Sequence, residues 1–189
     1  MTKIEEHFQP FPVFETERTL LRKMTYDDQD DMFRYCSEPD VSKYTVWDMH
    51  KSVQDTKQFI DFVQQRYDTQ KVGPWGIEYK GTGKIIGSCS FVSWDNRQAR
   101  AELGYVLSKE YWNQGIMSEV ISRIIEFGFS ELHLVRIEAR CHPDNIGSAR
   151  VMEKTGMKFE GVLRKYIFAK GDYQDLKIYS IIRDDLGKQ

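Results

Sequence analysis

A single glycine stands between a predicted strand and a predicted helix, in the segment YWNQGIMSEV at residues 111–120. The first amides of a helix have no partner inside the helix, and the helix dipole attracts anions to them. The segment lacks the GxxxxGK[ST] and GxGxxG patterns of other phosphate-binding loops. We interpret it as a seat for the phosphates of a diphosphate-bearing cofactor; the alternative is that the glycine only makes the turn. The residues of this predicted seat are Gln114, Gly115, Ile116, Met117 and Ser118.

Hydrophobic periodicity and turn residues predict the elements that position this loop. Strands are predicted at residues 18–23, 74–80, 85–94, 99–108 and 134–142, followed by a hairpin over 159–182 that turns at 170–172. Helices are predicted after Thr25, after Ser52, from Met117 to about Leu132, and from Asn145 to a stop at Gly156. The strand, helix and strand over 99–142 require parallel pairing, whereas the strands between 74 and 108 form an antiparallel meander. The predicted fold class is α/β, a mixed sheet with helices on both faces.

Composition limits the classes of function. The chain has 189 residues, 40% of them hydrophobic and 30% charged, which predicts a single domain over 1–189. The net charge is -2, so nucleic acid and membrane surfaces are not expected partners. Three cysteines far apart in the sequence, and no stretch of roughly 18 apolar residues, favour a reducing cytoplasm.

Two motifs about thirty residues apart carry a family resemblance. WNQGIMSEV together with EARCHPDNIGSARVMEKTGMKFEG resembles the GNAT superfamily of acyl-CoA-dependent N-acetyltransferases. The match is closest to the RimJ/RimL branch, whose members acetylate the N-terminal amine of ribosomal proteins. The resemblance extends from RTLLRKMTYDD to the final hairpin and implies a mostly antiparallel sheet with a splay between two parallel strands. It implies acetyl-CoA as the cofactor.

The resemblance also assigns positions around that splay. The backbone of Val106, Leu107 and Ser108 is expected to pair with the pantetheine arm, the glycine loop to hold the pyrophosphate, and Asn145 to reach the pantetheine or its phosphates. Met117 stands where the family usually has a small residue. Its side chain either crowds the phosphates or turns into the core.

Acetyl transfer to an amine needs a neutral nucleophile. An α-amine has a pKa of about 7.7 to 8.0 and a lysine side chain about 10.4, so a carboxylate acting through water is a sufficient base for an N-terminus. Glu102 is the preferred candidate, because it matches the base position of the branch and shares a strand face with Gly104, where the missing side chain leaves room for a substrate. The alternative is that Glu102 only pairs with Arg97 or Arg100.

Two further side chains are candidates for catalysis. Glu138 matches the base position of another acetyltransferase branch, and its alternative is a solvated residue flanked by Arg136 and Arg140. Ser148, one turn into the predicted helix, matches the proposed hydrogen-bond donor or acid for the departing thiolate, and its alternative is to satisfy local backbone groups. No metal ligand set is predicted.

The acceptor is the least determined part of the prediction. A protein N-terminal amine is favoured, with a small-molecule amine or a non-catalytic acyl-CoA-binding module as alternatives. Acidic residues at the start of the first helix either attract a basic peptide or are solvated residues that stabilise the helix dipole: Asp27, Asp28, Asp30 and Asp31. A homodimer through the hairpin or the sheet edges is a further possibility.

Overall fold

One mixed sheet organises the computed structural model, which describes residues 3–69 and 72–188, with side chains up to residue 186. The described residues form eight strands in the order β1-β2-β3-β4-β5-β6-β8-β7. Neighbours are antiparallel except for β5 and β6, which are parallel. The strands are β1 (Phe14–Glu15), β2 (Thr19–Arg22), β3 (Trp75–Tyr79), β4 (Lys84–Asp95), β5 (Arg100–Leu107), β6 (Arg136–Cys141), β7 (Lys158–Ala169) and β8 (Asp172–Ile182). The predicted mixed, mostly antiparallel sheet is confirmed.

Helices pack on both faces of this sheet, as predicted. They are α1 (Gln29–Cys36), α2 (Pro39–Ser42), α3 (Val53–Thr69), α4 (Ile116–Ser130) and α5 (Ile146–Lys154). The larger core cluster joins α4 and α5 to alternate residues of the strands, such as Ala101 and Leu103. The smaller cluster joins α1 and α3 to the opposite face. In the part of the chain that the structure describes, no helix has the length and apolarity that crossing a membrane requires.

Local sequence signals account for most helix boundaries. Thr25 and Asp28 form a reciprocal capping box at the turn that leads into α1. At α3, the amide of Ser52 donates to Asp55 Oδ2 at 2.9 Å. Gly156 follows α5 with φ +84°, the left-handed conformation expected of a glycine after a helix.

The prediction omitted two short elements and misjudged two acidic side chains. β1 has two residues and α2 has four, so neither is long enough to show a period. Asp28 is buried and its carboxylate lies 2.8 Å from the Arg22 guanidinium, while Asp31 accepts the amide of Ile85 at 3.1 Å. Both carboxylates therefore have structural partners within the fold, and Asp28 is neither solvated nor available to a basic peptide.

One half of the sheet carries a charged face without a covering helix. The α1 and α3 cluster takes Ile85 from β4, with Val106 of β5 packed against it, and it reaches no residue of β6, β7 or β8. Beyond Val106, the same face continues over β5, β6, β8 and β7 with side chains that pair with one another. They are Glu102, Arg136, Glu138, Arg140, Glu160 and Ser180.

Candidate active site

The two parallel strands separate at their carboxyl ends. β5 and β6 pair from Arg100 opposite Arg136 to Leu103 opposite Ala139, and β5 then continues to Leu107 without β6 beside it. A cavity of about 640 Å³ opens at this point. It is lined by residues of β5, of the loop before α4 and of the start of α5, among them Tyr105, Leu107, Gly115, Ser118, Asn145 and Ser148. The splay expected from the sequence is therefore present, and the predicted loop faces it.

Gly115 is the residue that turns the loop into α4. Its φ is +79°, a left-handed conformation that residues with a side chain rarely adopt, and no side chain caps the helix there. The first backbone bond of the helix runs from the amide of Glu119 to the carbonyl of Gly115 at 3.1 Å. The preceding amides, those of Ile116, Met117 and Ser118, therefore point out of the helix end toward the cavity. Such an end binds anions.

The side chain of Met117 turns into the core. It is 5% exposed and belongs to the cluster beneath α4. Of the two orientations open from the sequence, the structure has the one that leaves the loop accessible.

Arg18 connects this loop to the first long strand. Its Nε donates to Glu119 Oε2 at 2.8 Å, and its Nη1 donates to the carbonyl of Gln114 at 2.8 Å. The amide of Arg18 donates to the other Glu119 oxygen at 2.9 Å. One guanidinium thus ties the residue before Gly115 and the first turn of α4 to the start of β2. The sequence contained no signal for this contact between residues about a hundred positions apart.

The backbone of β5 offers fewer groups to a ligand than expected. The amide of Ser108 donates to the carbonyl of Ile86 at 2.7 Å, so Ser108 directs its backbone toward β4. Since backbone groups alternate along an antiparallel pair, Val106 also faces β4, and Leu107 and Tyr105 face the splay. The carbonyl of Leu107 accepts the Trp112 indole at 2.8 Å. Of the three residues predicted to pair with the pantetheine arm, Leu107 thus directs backbone to the splay and Val106 and Ser108 do not. The pairing itself stays a prediction.

Asn145 and Ser148 begin α5 at the edge of the cavity. Asn145 Oδ1 accepts the amide of Ser148 at 3.1 Å, so the oxygen of this side chain caps the helix and its NH₂ group remains to donate. Because Asn145 supplies the cap, the hydroxyl of Ser148 is not needed for it. Ser148 Oγ instead lies 2.9 Å from the hydroxyl of Tyr105. Tyr105 was not among the site residues predicted from the sequence.

Glu102 lies half-buried on the charged face of the sheet. It accepts a hydrogen bond from Ser93 Oγ at 3.1 Å and lies 3.3 Å from Arg140 Nη1. Burial raises the pKa of its carboxyl above the ordinary value, and the nearby Glu138 acts in the same direction, while Arg140 and Ser93 oppose them. The alternative of an ion pair between Glu102 and Arg97 or Arg100 is wrong, because the arginine beside Glu102 is Arg140.

The space predicted beside Glu102 is filled. A Cβ added to Gly104 would lie 2.6 Å from Val92 Cγ1. Val92 belongs to the bulge where β4 shifts register against β5. Gly104 therefore makes room for a side chain of the protein itself, which corrects the interpretation of this glycine as substrate space.

Glu138 is buried between two arginines. It is 8% exposed, with Oε2 3.0 Å from Arg136 Nε and Oε1 2.8 Å from Arg140 Nη2. The alternative of a solvated residue is thus wrong, although both flanking arginines are its partners as expected. Both carboxylate oxygens are engaged, and Arg140 bridges Glu138 to Glu102. The structure brings the two candidate bases into one network in which Glu102 is less fully bonded.

A loop crosses the end of β6 and reaches the tip of the β7–β8 hairpin. The ring of Tyr44 stacks on His142 with centroids 5.1 Å apart. Farther along the loop, Asp48 Oδ1 lies 2.9 Å from Lys170 Nζ, which also donates to the carbonyl of Trp47. These contacts hold the loop against the end of β6 and the tip of the hairpin.

Comparison with known proteins identifies relatives over most of the chain. Residues 18–158 match the family described as acetyltransferase (GNAT) domain. The uncharacterised N-acetyltransferase YoaA of Bacillus subtilis is 36% identical over 173 residues, covering 92% of this chain and 98% of the relative. The ribosomal-protein-serine acetyltransferase of Escherichia coli is 29% identical over 155 residues, covering 76% and 84%. A solved GNAT-family acetyltransferase from Bacillus anthracis has a TM-score of 0.80 at 29% identity, covering 92% and 99%.

Proposed function

The chain belongs to the GNAT acetyltransferase family, and we propose that it transfers the acetyl group of acetyl-CoA by direct attack to the N-terminal amine of a protein. Acetyltransferases of this family use acetyl-CoA. One observation carries the proposal: the free amides after Gly115 open onto the same cavity as Ser148, at a splay whose strands bear Glu102 on their other face. The cofactor and the acceptor then approach the splay from opposite sides.

The cofactor is held by backbone groups in this proposal. The amides of Ile116, Met117 and Ser118 hold the pyrophosphate, with the α4 dipole adding attraction. The backbone groups of Tyr105, the amide of Leu107 and the NH₂ group of Asn145 hold the pantetheine arm. The thioester then lies in the splay, near Ser148. These assignments use the groups that the fold leaves without a protein partner in the described chain.

Glu102 acts as the general base. Its pKa, raised by burial, makes the carboxylate a better proton acceptor than that of an ordinary glutamate. The neutral α-amine attacks the thioester carbon, and the proton that its nitrogen gives up as the N–C bond forms goes to Glu102, directly or through water. The C–S bond breaks and the sulfur leaves with the electron pair, accepting a hydrogen bond from the Ser148 hydroxyl. Glu138 holds the arginines in place.

The acceptor class is supported by chemistry and by a relative. An α-amine is about two pKa units easier to neutralise than a lysine, which suits a carboxylate base. We infer that the loop held by the contact of Asp48 with Lys170 narrows the approach to Glu102, which favours a thin acceptor, such as a chain end, over a lysine on a folded surface. The E. coli relative is named for ribosomal-protein serine. A small-molecule amine is the second candidate, since it fits the same narrow approach.

The setting we propose is a cytoplasmic, single-domain enzyme that pairs with a second copy. Cys36, Cys89 and Cys141 are buried free thiols, as expected in a reducing compartment. β7 ends the sheet with an unpaired edge and with Phe159 and Val162 half-exposed, which suits strand pairing between copies. Sedimentation of the purified chain measures whether it is a dimer.

The test is release of free thiol from acetyl-CoA in the presence of matched acceptors. One peptide has a free N-terminal serine and no lysine, and a second has the same sequence with a blocked N-terminus and one lysine. A polyamine and an aminoglycoside complete the panel. We expect turnover with the first peptide and little with the second. Turnover with a small amine alone would replace the protein acceptor, and coenzyme A binding without turnover of any acceptor would indicate a non-catalytic module.

A further inference from the structure

Tyr105 places a hydroxyl beside Ser148 inside the cofactor cavity. Its phenolic oxygen lies 2.9 Å from Ser148 Oγ and 3.1 Å from the carbonyl oxygen of Ser148. Both residues line the cavity. Tyr105 comes from β5, in the segment that has left β6, while Ser148 comes from α5, so this contact bridges the two sides of the splay.

The hydrogen-bond donors around Ser148 determine the direction in which its hydroxyl proton points. The amide of Ser148 is already bonded to Asn145 Oδ1. Tyr105 has one hydroxyl proton and faces two acceptors on Ser148, the carbonyl and Oγ. The thiol of Cys141 also lies beside the Ser148 hydroxyl, and burial raises the pKa of that thiol to about 11, so it keeps its proton and is a weak donor. When its neighbours donate to Ser148 Oγ, the hydroxyl proton of Ser148 is left for a ligand.

We propose that Tyr105 is a positioning residue that orients the Ser148 hydroxyl so that its proton points at the sulfur of the bound thioester. The inference rests on the proposed acetyl transfer and adds a second residue to the departure of the thiolate. Ser148 then acts as a hydrogen-bond donor to the sulfur and retains its proton.

Protons and electrons balance without a proton from Tyr105. The N–C bond forms, the C–S bond breaks with its electron pair on sulfur, and the proton of the attacking amine goes to Glu102. The thiolate accepts a hydrogen bond from Ser148 and takes a proton from water as coenzyme A leaves, and Glu102 returns its proton to water, which restores the carboxylate. Burial raises the pKa of the Tyr105 phenol well above its ordinary value, so the phenol stays protonated throughout.

A double-mutant cycle tests whether the effect of the Tyr105 hydroxyl on kcat depends on the Ser148 hydroxyl. Tyr105→Phe keeps the ring and removes the hydroxyl, and we expect kcat to fall roughly three- to tenfold, the worth of one neutral hydrogen bond, with little change in the KM for acetyl-CoA. Ser148→Ala should lower kcat by at least as much. In the Ser148→Ala background, Tyr105→Phe should have no further effect. If the two substitutions lowered kcat independently in the double variant, or if Tyr105→Phe kept the full kcat, the proposal would be overturned.

A binding measurement tests the same contact without turnover. Stabilisation of the thiolate predicts that, at alkaline pH, the wild-type protein prefers coenzyme A over desulfo-coenzyme A, and that Tyr105→Phe and Ser148→Ala both lose this preference. Equal preferences in all three proteins contradict the inference even if no acceptor has been found. If the wild-type protein bound no coenzyme A, the proposed function itself would be overturned.

Tyr179 supplies the matched control. It is a buried tyrosine on β8 whose hydroxyl contacts α5 through Glu153, at 3.3 Å, and it does not line the cavity. Tyr179→Phe should leave kcat unchanged. A fall equal to that of Tyr105→Phe would mean that any loosening of α5 produces the effect, and the orienting role would be rejected.

Discussion

Among the residues of the site, Glu102 gives the most direct prediction. Glu102→Gln removes the proposed base and should lower kcat/KM by roughly a hundredfold or more. In the wild type, kcat/KM should fall as the pH drops through the raised pKa of Glu102, because the carboxylate is then protonated. The variant should lack this acidic limb. Initial rates from pH 5 to 9 measure both effects, and an acidic limb that persists in Glu102→Gln would remove Glu102 from the base role.

Stability should change in the opposite sense to activity at this residue. A carboxyl whose pKa is raised on folding stabilises the native state below its unfolded pKa, and that stability is lost as the pH rises through the raised value. Once ionised, Glu102 therefore contributes no stability through this linkage. Glu102→Gln should unfold at a temperature no lower than the wild type, which separates loss of a base from loss of the fold.

Substitution of Glu138 should affect stability more than activity, in contrast to substitution of Glu102. Glu138→Gln leaves Arg136 and Arg140 without the carboxylate that both now contact, and should cost about 3 kcal/mol in the free energy of unfolding. Below its unfolding temperature, we expect this variant to keep kcat within about tenfold of the wild type, less than the loss of a base. Chemical denaturation and initial rates decide the assignment. A stable but inactive Glu138→Gln would exchange the roles of the two glutamates.

Sequence reasoning found the residues with local signatures and missed those defined by neighbours in space. Gly115 and Asn145 were found because a turn glycine and a helix cap act on adjacent backbone. Arg140 was missed as the partner of Glu102, because pairing across parallel strands depends on a register that the sequence does not state. Gly104 was misinterpreted for the same reason, since its space belongs to Val92 on the neighbouring strand.

At the scale of elements, the phosphate loop depends on its connection to β2. Arg18→Gln removes the guanidinium bonds to Glu119 and to the carbonyl of Gln114, and leaves the Glu119 carboxylate without its cation near the predicted phosphate seat. Bonds to charged groups are worth enough that the KM for acetyl-CoA should rise about tenfold, with kcat little changed. Arg123→Gln is the control. Arg123 lies on α4, as Glu119 does, and pairs with the exposed Glu126. If the KM for acetyl-CoA rose no more in Arg18→Gln than in the control, the loop would keep its shape without the Arg18 side chain.

Elements with a period or a cap were predicted, and elements shorter than one period were not. The long helices and the meander have repeating buried positions that fix their type. α2 is a single turn opened by Pro39, and β1 pairs only two residues with β2, so their existence depends on tertiary contacts. The same limit explains why the loop contact between Asp48 and Lys170 was not foreseen.

For the whole molecule, the single sheet predicts one cooperative unit that the cofactor stabilises. The proposed seat takes residues from β5, from the loop before α4 and from α5, and Arg18 extends it to β2, so no part of it can unfold without losing cofactor contacts. Coenzyme A at a hundred times its dissociation constant should stabilise the fold by about 2.7 kcal/mol, or raise Tm by about 5–10 °C for a chain of this size. Calorimetry should show one transition that moves upward with each addition of coenzyme A. Adenosine at the same concentrations is the control, since it lacks the phosphates. Two transitions, of which coenzyme A moves only one, would contradict a single domain, and a single transition that coenzyme A leaves in place would contradict the phosphate seat after Gly115.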